Sequence, residues 1–285
     1  MARMTTHRIR QMKEKGKKIV MLTAYDAPTA SILSDAGIDI ILVGDSVGNS
    51  LLGYESTIPV RLEDVIHHCA AVARAKPNSF IVGDMPFMTY KVSIEQALHN
   101  CSRMLQDGGA EAVKIEGGSS HIIKTVKAVV DAGIPVMAHI GLTPQSVYEF
   151  GGYRVQGRTA DATEELIEQA KALEDAGAFS IVIELVPSES AKMITESIDI
   201  PTIGIGAGPY CDGQVLVLWD MLGLFEDFKP KFLKKYTNIR KIIRDAVSEY
   251  ASDVREGSFP SSEHSFKMTE EESGRLYGRS RPNKR

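Results

Sequence analysis

Residues 131–141 read DAGIPVMAHIG. Asp131-Ala132-Gly133 looks like the end of a helix, because a glycine placed there can take the left-handed conformation that closes the last turn. An apolar run rich in β-branched residues follows, and it stops at a histidine, His139. The same sentence is written elsewhere in the chain. Asp35-Ala36-Gly37, Asp107-Gly108-Gly109 and Asp175-Ala176-Gly177 each close a helical stretch and precede an apolar run. Their irregular spacing excludes a fixed-period solenoid. In all, eight strand-sized runs occur, at 19–23, 38–43, 80–83, 112–115, 134–138, 180–183, 201–205 and 214–218. Helical spacing marks 93–107, 121–132 and 162–176 between them, with Ser93 and Gln96 placed for a capping box. Near-continuous apolar strands covered by helices make a parallel sheet. Eight of them in about 200 residues favour a (β/α)₈ TIM barrel over an open doubly wound sheet. The seventh and eighth runs are too close for a full crossover helix, so one helical turn at most is expected there.

The 285 residues are expected to form one barrel domain over 1–255, with an N-terminal and a C-terminal helix, the latter at 238–250 with Ile239, Ile242, Ile243 and Ala246 on one face. From 256 to 285 periodicity is lost, and the last seventeen or so residues are expected to be disordered. No apolar run approaches the roughly 20 residues needed to span a bilayer. With 33 basic and 37 acidic residues the net charge is −4, a poor start for binding a phosphate backbone, so neither membrane nor nucleic acid is expected as a partner. Three scattered cysteines, Cys69, Cys101 and Cys211, argue against a disulfide framework and for a reducing, cytoplasmic setting. The basic N-terminus lacks the apolar segment of a signal peptide and is read as native sequence.

In a barrel, chemistry sits at the C-terminal ends of the strands. Those ends carry Tyr25-Asp26, Asp45-Ser46, Asp84, Lys114 with Glu116, His139, Glu184 and the glycines of residues 204–208. Each has a plain alternative. Asp45 and Asp84 follow glycine and could cap turns; as a converging pair they would need a cation between them, and oxygen ligands favour a hard ion such as Mg²⁺. Lys114 and Glu116 point the same way from one strand, as a structural ion pair or as a grip on an anion. His139 could be a core histidine. Glu184 closes a strongly apolar strand and is a candidate general base, or a capping or salt-bridged glutamate. The glycine-rich turn is equally a phosphate cradle or a tight loop. His67-His68 and the basic stretch 229–235 are assigned no role. Together the rim suggests metal-assisted proton abstraction beside a carbonyl, leaving the electrophile open.

Nine motifs, in order, supply it: MLTAYD at 21–26, GDSVGNSLLGYESTIPV at 44–60, GDMPFMTY at 83–90, VKIEGG at 113–118, HIGLTPQS at 139–146, FGGYRVQGR at 150–158, IGIGAG at 203–208, CDGQVLV at 211–217 and EHSF at 263–266. Over residues 5–267 the chain resembles the ketopantoate hydroxymethyltransferase family of pantothenate and coenzyme A biosynthesis. The resemblance implies a barrel of the phosphoenolpyruvate/pyruvate superfamily, usually a homo-oligomeric decamer. It implies 3-methyl-2-oxobutanoate and 5,10-methylenetetrahydrofolate as small-molecule substrates, with Mg²⁺ as the metal. It places metal ligands at Asp45, Asp84 and Glu116, keto-acid contacts at Asp45, Ser46, Asp84, Lys114 and His139, and the base at Glu184. The alternatives are a metal-dependent C–C lyase of the isocitrate lyase or phosphonopyruvate type and a non-catalytic ligand-binding barrel.

Overall fold

The computed structural model describes residues 3–226 and 229–279. They fall into two compact units, Met1–Tyr236 and Thr237–Arg285. The C-terminal helix that the sequence assigns to a 1–255 domain therefore belongs to the second unit.

The first unit opens with α1 (Thr6–Glu14), followed by β1 (Ile19–Thr23), α2 (Ala27–Asp35), β2 (Ile40–Val43), α3 (Leu62–Arg74), β3 (Phe80–Asp84) and α4 (Ile94–Gln106). Next come β4 (Ala112–Glu116), α5 (Ser120–Asp131), β5 (Val136–Gly141), α6 (Ala160–Asp175), β6 (Ser180–Glu184) and α7 (Ser188–Glu196). It ends with β7 (Thr202–Ile205), β8 (Gly213–Leu216) and the single turn α8 (Leu218–Met221). The strands form a closed barrel in sequence order, every pair parallel, with β8 returning to β1. No helix separates β7 from β8; residues 206–212 turn directly back into the sheet. The four helix-closing glycines, Gly37, Gly109, Gly133 and Gly177, adopt φ between 70° and 94°.

Two apolar layers follow from the period-2 alternation of the strands. Outward residues such as Ile41, Ile81, Val113, Ala138, Ile181 and Ile183 pack with the apolar stripes of the helices, among them Val65, Cys69, Met104, Val126 and Leu173. Inward residues Ile19, Met21, Ile40, Leu42, Phe80, Val82, Ala112, Met137, Val182, Ile203 and Val215 fill the lumen. Ile9 of α1 joins this inner cluster, so α1 caps the N-terminal end of the barrel. Lys13 ties it down: its ammonium donates to the carbonyls of Thr195, Ile198 and Ile200 and pairs with Asp212 at 3.1 Å. A basic N-terminal segment is thus built into the fold.

The second unit holds α9 (Ile239–Glu256), capped by the Asn238 side chain, and α10 (Glu270–Arg279). The α9 helix runs six residues beyond the expected 250. The α10 helix lies within the stretch expected to be disordered; three glutamates in its first turn suit the positive end of a helix dipole, a local preference that apolar periodicity does not register. The remainder of that stretch, 280–285, is outside the described residues.

Candidate active site

The inward-facing positions change character toward the C-terminal ends of the strands. On β3 the series Phe80, Val82, Asp84 ends in a carboxylate, and on β4 Ala112, Lys114, Glu116 ends in an ion pair. Strand register sets the neighbours. Asp84 lies beside Lys114, Glu116 beside His139, and Gly141 beside Glu184. Gly141 has φ +90°, and a Cβ there would meet the Glu184 carbonyl oxygen at 2.4 Å, so the close approach of β5 to the end of β6 requires glycine.

Six of the seven residues singled out in the sequence form one connected cluster. The Lys114 ammonium donates to Asp84 Oδ1 at 2.6 Å and to Glu116 Oε1 at 3.3 Å. His139 sits between two carboxylates, with Nδ1 3.3 Å from Glu116 Oε1 and Nε2 3.3 Å from Glu184 Oε2. These are ionic contacts, since neither ring nitrogen is aligned for a hydrogen bond. Asp45 joins through its backbone, its N–H donating to Asp84 Oδ2 at 3.2 Å. Oxygens of Asp45, Asp84 and Glu116 all lie within 4.8 Å of one another. The seventh residue, Ser46, is held at the edge by the Tyr25 hydroxyl, 2.8 Å from its Oγ. Glu184 is the most open member, with 15% of its side chain exposed against 5% or less for Asp84, Lys114, Glu116 and His139.

Burial and mutual charge set the protonation of the cluster. For Asp45, burial together with the nearby Asp84 and Glu116 raises the pKa well above the ordinary carboxylate value. Asp84 is also raised by burial, against the opposing pull of Lys114. Burial works against the Glu116 carboxylate too, but Lys114 and His139 bring its pKa down to about 2. Burial likewise disfavours the charged His139 ring; Glu116 and then Glu184 outweigh it and raise the pKa to about 9. Burial opposes the Lys114 ammonium, yet Asp84, Glu116 and Asp45 hold its pKa above the usual lysine value.

The negative charge is therefore well compensated around Glu116 and poorly compensated at Asp45, which pairs with no cationic side chain among the described residues. A divalent cation between Asp45 and Asp84 would relieve that repulsion, and an all-oxygen donor set suits a hard ion. The residues fit such a metal.

Elsewhere on the rim the plainer readings prevail. Asp26 caps α2, accepting from the Thr29 backbone at 2.8 Å. The 204–208 turn packs Gly208 against Ser188, and its Gly208 carbonyl accepts from Gln214 Nε2. Two buried residues escaped the sequence reading although both stand inside quoted motifs: Tyr90 of GDMPFMTY and Gln145 of HIGLTPQS. Gln145 Nε2 donates to Asp45 Oδ2 at 3.1 Å, and its backbone N–H donates to Glu116 Oε2 at 3.2 Å. The hydroxyl of Tyr90 lies 2.9 Å from Gln145 Oε1.

A closed parallel barrel with a buried acidic and cationic cluster at the C-terminal ends of its strands defines an α/β-barrel enzyme with a potential metal centre. Residues 3–262 match the family model described as ketopantoate hydroxymethyltransferase. A relative from Syntrophomonas wolfei subsp. wolfei, named 3-methyl-2-oxobutanoate hydroxymethyltransferase, is 52% identical over 277 residues, covering 97% of this chain and 100% of the relative. One of the same name from Heliobacterium modesticaldum is 54% identical over 272 residues, covering 95% and 98%. The chain belongs to the ketopantoate hydroxymethyltransferase family of transferase enzymes.

Solved structures with the same architecture are more distant in sequence. A phosphonopyruvate hydrolase in complex with oxalate and Mg++ aligns with a TM-score of 0.60 at 13% identity, covering 96% of this chain and 95% of that one. A 2,3-dimethylmalate lyase of the PEP mutase/isocitrate lyase superfamily aligns at 0.57 and 15%, covering 95% and 94%. At these identities the likeness is one of fold.

Proposed function

We propose that this chain transfers a hydroxymethyl group from 5,10-methylenetetrahydrofolate to 3-methyl-2-oxobutanoate, giving ketopantoate for pantothenate and coenzyme A biosynthesis. The observation that carries the reading is the buried Asp45–Asp84–Glu116 triad, joined through Lys114 and His139 to the more open Glu184.

Asp45, Asp84 and Glu116 would hold Mg²⁺. When bound, the ion supplies Lewis-acid polarisation of the keto acid. Lys114 has three N–H donors, two of them directed at Asp84 and Glu116, which leaves one for a substrate oxygen. Ser46, steadied by Tyr25, offers a hydroxyl at the same edge. Glu184 takes the single proton from C3 of the keto acid. Protonated His139, between Glu184 and Glu116, holds the base in place and spreads the negative charge. The C3 carbanion forms a bond to the folate methylene carbon as one of that carbon's two C–N bonds breaks, and the freed nitrogen takes up a proton. Water supplies the hydroxyl as tetrahydrofolate departs.

Family resemblance further supports a homo-oligomer, a decamer, which light scattering tests. The unpaired, buried cysteines support a cytoplasmic setting, and among the described residues no helix is long and apolar enough to cross a membrane. The direct test is product identification after mixing protein, keto acid, methylene-folate and Mg²⁺. Folate-dependent formation of ketopantoate is expected; cleavage of the keto acid without folate would favour a lyase.

A further inference from the structure

Gln145 is almost wholly buried, and every polar group it carries into the site is committed. It stands in the short turn Pro144–Ser146 that follows β5, yet its partners come from three other segments. Its Nε2 donates to Asp45 Oδ2 at 3.1 Å and to the Met85 carbonyl at 2.9 Å. The Met85 carbonyl can only accept, so the amide nitrogen must face it and the amide has one permitted orientation. Tyr90, itself fully buried, faces the other end of that amide with its hydroxyl at 2.9 Å from Oε1, and accepts from the Glu116 backbone N–H at 3.2 Å. One residue thus grips Asp45 after β2 and, through its backbone N–H, Glu116 on β4. These strands are not neighbours, and β3 with Asp84 lies between them.

Resting on the metal-dependent reading above, we infer that Gln145, oriented by Tyr90, is the positioning residue that sets the spacing of the Asp45 and Glu116 carboxylates for the divalent cation. Asp45 needs such a device more than its neighbours do. Asp84 and Glu116 are fixed by Lys114, whereas Asp45 follows its strand on a loop and has the Gln145 amide as its side-chain donor. The Gln145 amide is engaged on both sides by protein groups, Asp45 and Met85 on its nitrogen and Tyr90 on its oxygen. Removing it should therefore change how well the ion binds, and leave turnover intact once the ion is saturating. Partners that orient metal ligands from behind are generally worth about 10- to 100-fold in metal affinity.

The test uses the full-length protein and Mn²⁺ alone, with free Mn²⁺ followed by electron paramagnetic resonance and folding checked by circular dichroism. Gln145→Leu should weaken Mn²⁺ binding by about 10- to 100-fold. Tyr90→Phe, which keeps the ring but removes the hydroxyl's bonds to Gln145 and to the Glu116 backbone, should weaken it about fivefold. In turnover assays Gln145→Leu should need more Mg²⁺ for half-maximal rate and recover kcat at saturating Mg²⁺. If native protein binds Mn²⁺ and folded Gln145→Leu binds it within twofold as well, the positioning role is wrong while the metal site stands. A kcat that stays low at saturating Mg²⁺ also overturns it, because Gln145 would then act on substrate. Should Gln145→Leu fail to fold, native affinity in Tyr90→Phe contradicts the proposal. If native protein binds no Mn²⁺, the metal reading itself falls and the inference with it.

Discussion

The lower and upper halves of the barrel lumen use the same backbone frame for opposite purposes. Below, Ile40, Phe80, Val82, Ala112, Met137 and Val182 pack into an apolar core joined by Ile9. Above, the next inward positions on β3 to β6 are Asp84, Lys114, Glu116, His139 and Glu184. β4 makes the switch within five residues. The lower half supplies the apolar burial that holds the barrel shut. The upper half spends some of that stability, because charges taken from water regain at best what they lose. A cluster kept under such terms is better explained by chemistry than by folding.

Substitutions in the two halves should therefore fail differently. The largest effect is expected from Lys114→Met, which strips Asp84 of its cationic partner and leaves Glu116 with His139 alone. Stability should fall by about 3–5 kcal/mol in a denaturant titration, together with loss of turnover. Glu184→Gln should lose about 10²- to 10⁴-fold in exchange of the C3 hydrogen, read by proton NMR in D₂O, with the melting temperature nearly unchanged. In the lower half, Met137→Ala should cost about 2–5 kcal/mol of stability while activity per folded molecule persists. A catalytic defect in folded Met137→Ala would blur the division. Smallest of all should be Asp245→Ala, which breaks the exposed 2.6 Å pair with Lys241 on α9. A change of about 0.3–0.5 kcal/mol is expected by thermal denaturation, with no effect on turnover.

Most of the barrel was legible because apolar runs and helix-closing glycines are local signals. The strand ends were less so. β3, β4 and β6 each run one residue past the apolar stretch, to Asp84, Glu116 and Glu184. The backbone ladder continues where the side chains turn polar, and register, not hydropathy, decides where it stops. At the other end, β2 begins at Ile40 and not at 38: the Ile38 N–H closes α2 by donating to Leu33, and Asp39 receives the Val20 N–H on its side chain. The charged members of the cluster were legible as ionisable groups at successive strand ends. Gln145 and Tyr90 were not, since a neutral amide in a turn and a tyrosine in a loop carry no periodic or charge signature. Their partners become visible only once strands distant in sequence are brought together.

The division of the lumen is tested most directly by hydrogen exchange at C3 of 3-methyl-2-oxobutanoate in D₂O, followed by proton NMR with native protein and no folate. With Mg²⁺ present the C3 signal should disappear at an enzyme-dependent rate, and chelation of the metal should stop it. A C3 hydrogen that persists with Mg²⁺, or exchanges equally fast without it, would contradict a metal-assisted base at the upper end of this barrel.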